Sequence, residues 1–225
     1  MMSEYDTKLV LAETFKQLVN QIYKDPSKIR GEPKNLRPHV NKILAETSKN
    51  LKFNRNYQFE PCQKPVCKVL PNVFNQIPED LKSWKDLVKN FNPLLTWKQN
   101  QSYRGIYPDS FYEKYACVEL IGPEAMLLSD EIRAGFLLLD EDLSYPEHNH
   151  EALEIYHVLN NGDSLWQKGK GADFVEIQAG NGVFHESFES HAMKTRKQGL
   201  LALYTWTGFD EKDNGFARPI LDSSK

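Results

Sequence analysis

The chain is sparse in cysteine, has no long hydrophobic run and carries no excess of charge of one sign. Three cysteines occur in 225 residues, Cys62, Cys67 and Cys117. So small and odd a set argues against a disulfide framework and for a reducing compartment. Cys62 and Cys67 could pair, but they lack the second pair of ligands that a zinc knuckle needs. Nowhere do about 18 apolar residues run together, so no single helix spans a membrane. The first residues, MMSEYDTKLVLAETF, bring acids early and do not read as a signal peptide. Net charge is −3 with the signs mixed, which offers nucleic acid no basic field. Solenoid repeats and low-complexity tracts are missing as well. These absences leave the expectation of a soluble, cytoplasmic protein with no nucleic-acid or membrane partner, built as one large domain or one domain with an extension.

The two halves of the chain differ in pattern. Leu11, Phe15, Leu18, Val19 and Ile22 lie on one helical face, and Leu36, Val40, Ile43 and Leu44 repeat the spacing, with Pro38 expected in the first turn. A third helix is expected from Pro78 to Asn90, opened by a proline and two acids, with Leu81, Trp84, Leu87 and Val88 on one side. Three prolines in the stretch between these helices argue against a long helix there. From about residue 115 short β-branched and aromatic segments take over: YACVELIGP, IRAGFLLLD, LEIYHVLN, DFVEIQAG and GLLALYTWTG, divided by turn signals such as Asn161-Gly162-Asp163 and Gly180-Asn181-Gly182. The expected class is α+β, mainly β: a helical region over residues 1–110 packed on an antiparallel β-barrel or sandwich over 111–225.

Five of the six histidines fall in that second half. YPEHNHEALEIYHVLN, residues 145–160, holds three of them with three glutamates and two tyrosines. Residues two apart on a strand share a face, so His148 goes with His150 and Glu154 with Tyr156. An extended chain would put all four on one side; a turn would bring the two pairs together across a hairpin. Two neutral imidazoles and a carboxylate suit a first-row divalent metal. A further ligand is expected from a distant strand, and His185 and His191 are the candidates.

HNHEALE, His148 to Glu154, resembles the first cupin motif, H-x-H-x(3,4)-E. GNGVFHESFESHAMKT, Gly180 to Thr195, resembles the second. With His191 as ligand, Gly180 matches that motif's leading glycine, while Glu186, Phe188 and Thr195 replace its proline, glycine and asparagine. Asp142 stands where the first motif has a leading glycine. With His185 as ligand, Gly182 fits the inner glycine but Phe174 takes the leading position. His191 is preferred because HAMKT is similar to the cupin strand that follows the ligand.

Tyr145 before the histidines, Tyr156 after the glutamate, and LLALYTWTG at 200–208 are together similar to the bacterial cupin-type dimethylsulfoniopropionate (DMSP) lyases over roughly residues 115–209. The resemblance implies β-elimination to dimethyl sulfide and acrylate. It implies one divalent transition metal (iron, manganese, zinc, nickel or cobalt) held by His148, His150, Glu154 and His191. Tyr156 is the implied base, and Tyr145 the runner-up or a substrate-orienting group. An aromatic face would hold the sulfonium. Tyr204 and Trp206 are expected on opposite faces of their strand, leaving one to line the site, and Trp206 is the residue favoured. Trp97, Tyr103 and Tyr107 are placed over the barrel mouth, His157 is assigned to structure, and a homodimer accords with cupin habit. Competing functions for the same residues are a different metal-dependent cupin enzyme, an isomerase or oxygenase, and a non-catalytic cupin that binds a small ligand.

Overall fold

Alternation along the strands decides the architecture. In the strand Leu200–Thr207, Leu200 and Ala202 join one apolar cluster and Leu201 and Leu203 another. A strand buried on both faces needs a covering layer on each. Here one layer is a second sheet and the other is the N-terminal helices. The computed structural model describes residues 4–61, 63–209 and 218–219. Its elements are α1 Glu4–Ile22, β1 Ile29–Arg30, α2 Pro33–Thr47, β2 Lys52–Phe53, α3 Leu70–Gln76, α4 Lys82–Phe91, α5 Asp109–Glu113, β3 Tyr115–Gly122, β4 Leu127–Leu128, β5 Ile132–Leu139, β6 Ser144–Asn149, β7 Leu153–Val158, β8 Leu165–Lys168, β9 Val175–Glu176, β10 Gly182–His185, β11 His191–Lys194, β12 Leu200–Thr207 and β13 Arg218–Pro219.

The large sheet runs β1-β10-β7-β12-β5-β3-β4-β2 and the small one β13-β6-β11-β8-β9. Between their inner faces lies a cluster that includes Tyr103, Phe111, Tyr115, Tyr145, Tyr156, Trp166 and Met193. On the outer face of the large sheet the helices close a second core. Phe15 of α1, Trp84 of α4 and Phe136 of β5 meet edge to face, with ring centroids 5.3–6.1 Å apart. Burying each such ring stabilises the fold by about 2–3 kcal/mol. Two strands of the N-terminal half, β1 and β2, extend the large sheet at its two ends.

Three details differ from the sequence pattern. α2 begins at Pro33, which takes the first-turn position, so Pro38 falls inside the helix rather than in its first turn. Of DFVEIQAG only Val175–Glu176 is strand. Cys67 is disulfide-bonded, which removes the argument from sparse thiols for a reducing compartment; Cys62 lies outside the described residues, and Cys117 is a free thiol. Among the described residues no helix is long and apolar enough to cross a membrane.

Candidate metal centre

The chain leaves β6 in the small sheet, turns through His150 to Ala152, and enters β7 in the large one. That crossing sets the first motif's histidines and its glutamate facing each other across the interior. Register supplies the rest. His191 lies opposite His148 on β11–β6. Glu154 lies between Trp206 of β12 and His185 of β10. Residues directly opposite in antiparallel pairs share a face, so these side chains all point inward.

His150, Glu154 and His191 each bring a ligand atom within 4.8 Å of the others. His150 Nε2 lies 2.9 Å, and His191 Nε2 3.2 Å, from the same Glu154 oxygen. His148 falls outside this set of three; its ring stands 4.2 Å from that of His191 and 6.3 Å from that of His150. All four residues are buried.

The ring tautomers follow from the backbone. His148 Nδ1 is 2.8 Å from the Pro146 carbonyl, His150 Nδ1 2.9 Å from that of Ala152, and His191 Nδ1 2.9 Å from that of Glu189. A carbonyl oxygen only accepts, so each Nδ1 carries the proton, and in the neutral ring Nε2 carries a lone pair. The lone pairs of His150 and His191 then face the carboxylate of Glu154. Such a convergence needs a cation between its members, either a proton or a metal. His191 Nε2, though near Glu154, has no aligned hydrogen-bond partner among the described residues. Burial alone would push the Glu154 carboxyl up, but positive charge on the His150 and His191 imidazoles, where a proton is the cation between them, holds it well below the usual range. Burial, with His191 beside it, keeps His148 neutral. Orphaned nitrogen, anchored Nδ1 atoms and a charged carboxylate in a dry interior all fit a divalent metal.

Around this cluster stand the aromatic residues. Trp206 Nε1 donates to the other oxygen of Glu154 at 2.5 Å, and its ring lies 4.5 Å from that of His150. Tyr204 pairs with Tyr156 in register. The expectation that Tyr204 and Trp206 face opposite sides is overturned: residues two apart share a face, and the two rings lie 6.1 Å apart. Tyr156 packs against Trp166 at 5.1 Å. Burial, and the Glu154 carboxylate beside it, push its phenol well above the ordinary value. The Tyr145 hydroxyl donates to that of Tyr103 at 3.0 Å, and its ring stands 4.7 Å from His148. Of the three residues placed over the barrel mouth, Tyr103 belongs to the interior cluster and Tyr107 packs against it, whereas Trp97 lies in the helix-side core and donates to Asn92. His185, the other candidate for the further ligand, stands beside this cluster. Its ring stacks on His191 at 4.2 Å, and among the described residues neither of its nitrogens has a hydrogen-bond partner. Sequence reading missed Trp166, because four-residue β8 offers too short a pattern.

The departures from the glycines of the two motifs keep the backbone that glycine would adopt. Asp142 has φ +50° and Phe188 φ +57°, both left-handed. The Asp142 turn is clamped by Thr195, whose hydroxyl accepts from Leu143 N at 3.0 Å and donates to the Asp140 carbonyl. Phe188 N donates to the His150 carbonyl at 2.7 Å, tying the loop before His191 to the first motif.

A two-sheet barrel with a buried His/Glu cluster facing inward defines a cupin preceded by helices. Residues 37–202 match the dimethylsulfoniopropionate lyase family, and the chain belongs to that family. It is 33% identical over 98 residues to dimethylsulfoniopropionate lyase DddQ of Ruegeria pomeroyi, covering 44% of this chain and 48% of the relative. It is 26% identical over 121 residues to the putative lyase DddL of Cereibacter sphaeroides, covering 53% and 49%. The chain thus spans about half the length of the curated relatives it matches. The crystal structure of the Ruegeria DddQ shares the fold at TM-score 0.67 and 22% identity, over 85% of this chain and 98% of that one.

Proposed function

We propose that this protein cleaves dimethylsulfoniopropionate into dimethyl sulfide and acrylate, with a divalent metal held by His150, Glu154 and His191 and joined by His148. The observation that carries this reading is the convergence of Nε2 lone pairs on Glu154, beside Tyr156, in a chain whose residues 37–202 match the lyase family. A metal bound there would supply Lewis-acid stabilisation to charge developing on the substrate carboxylate and would favour the phenolate of Tyr156. Tyr156, as phenolate, takes the proton from the carbon next to the carboxylate. The C–H electrons become the new C=C bond, the C–S bond breaks, and dimethyl sulfide leaves neutral with the bonding pair, so no general acid is needed. Trp206 and Tyr204 offer aromatic faces to the sulfonium. Tyr145, fixed by Tyr103, orients the substrate at the His148 side. The buried interior excludes water from the base.

The test is incubation of metal-loaded protein with dimethylsulfoniopropionate, followed by proton NMR for acrylate. Absence of acrylate with each of several divalent metals refutes the function. Tyr156→Phe is expected to retain metal and lose activity by about 10³-fold; unchanged activity sinks the base assignment.

A further inference from the structure

A cavity of about 320 Å³ opens on the side of the barrel where β1, β8, β9 and β10 come together, lined in part by Arg30, Trp166, Lys168, Asp173, Ile177 and Val183. Its inner wall is shared with the metal centre. Lys168 lies directly opposite His191 on β8–β11, and Trp166 packs on Tyr156. Its outer rim is Arg30, set opposite Val183 at the end of the large sheet. Lys168 is already paired with Glu189. Arg30 is exposed and makes no ion pair or side-chain hydrogen bond among the described residues, so its guanidinium stands unpaired at the rim. Val183, Ile177 and the indole of Trp166 form apolar walls, and Asp173 is the one carboxylate of the lining. The volume suits a molecule of fewer than about ten heavy atoms. A cationic rim, an apolar and aromatic wall and a single acid match a short-chain carboxylate with a methylated cationic end.

We infer that this cavity is a carboxylate-binding subsite beside the metal centre, where Arg30 captures the substrate's carboxylate and the indole of Trp166 forms the wall shared with Tyr156. That the captured molecule is the lyase substrate rests on the function proposed above; that the cavity takes a short-chain carboxylate does not.

The probe is sodium propionate, titrated into the metal-free full chain and followed by tryptophan fluorescence and ligand-observed NMR. Using metal-free protein keeps carboxylate binding by the metal out of the measurement. Wild-type protein is expected to bind in the range of about 1–10 mM, more weakly as salt rises. Arg30→Glu should weaken binding about tenfold, and Asp173→Asn, which removes the opposing charge, should strengthen it about twofold. Both positions are exposed, and their variants should melt as the wild type does. No propionate binding by the wild type, or affinities that ignore both substitutions, would overturn the subsite. Arg30-dependent propionate binding without acrylate formation would refute the lyase reading and leave the subsite standing. Acrylate formation with Arg30-independent binding would refute the subsite alone.

Discussion

The two faces of the large sheet both carry buried histidines, yet they do different work. Facing the inner side, His150 from the turn before β7 and His191 from β11 of the small sheet have Nδ1 anchored to carbonyls and Nε2 aimed at the carboxylate of Glu154. On the outer side His157 of β7 and His39 of α2 are buried between the sheet and the helices. His39 Nδ1 meets the Thr207 hydroxyl at 2.7 Å, and His157 packs edge-on against Tyr23 at 5.1 Å, whose hydroxyl bonds Thr205. Among the described residues His39 Nε2 and His157 Nδ1 have no hydrogen-bond partner. Their neighbours are hydroxyls and rings, and burial drives both imidazoles down to about 3. Neither burial nor number of histidines makes a site. What separates the faces is a carboxylate on which lone pairs converge.

The comparison breaks first at that carboxylate. Glu154→Gln should lower metal affinity on the order of 10³-fold, measured by metal content after dialysis against a chelator. Removing a histidine from the outer face should leave metal content as it was. If His157→Gln lost metal as completely as Glu154→Gln, the distinction would fail. Acid sharpens the contrast next. An imidazole at about 3 when folded and about 6.5 when unfolded takes up its proton only on unfolding, so its neutral burial is free above pH 6.5 and is penalised as pH falls from there toward 3. At pH 5 each outer histidine should cost about 2 kcal/mol. Urea melts at pH 7.5 and pH 5 should show that loss shrinking by about this amount in His39→Gln; an unchanged pH slope would contradict it. Thr207→Val leaves His39 Nδ1 unpaired as well and should destabilise by about 1–2 kcal/mol at neutral pH in the same assay. The smallest effect concerns the loop that delivers His191. Phe188→Gly relieves a left-handed backbone at the expense of unfolded-state entropy, and a net gain of about 0.5 kcal/mol in thermal melts is expected.

Much of this was legible in the sequence. α1 and α4 declared themselves through apolar spacing, and H-x-H-x(3)-E named three of the inward-facing side chains. Local patterns were silent where the decisive fact was long-range. β8, β10 and β11 are four residues each, too short for periodicity to speak, so Trp166 and the stacking of His185 on His191 stayed hidden. Tyr204 was misplaced by a parity error rather than by tertiary structure. The carbonyls of Pro146, Ala152 and Glu189 could not be read at all, because every residue has one and only the fold decides where it points.

Those carbonyls bear on how the site can change over evolutionary time. In many metal centres the groups that steer the imidazoles are side chains, and each is one nucleotide away from being lost. Here the steering groups belong to the main chain, which no codon change deletes. Drift around the cluster can alter its shape and polarity while the rings keep their aim, so new specificities can be tried without first sacrificing the ligands.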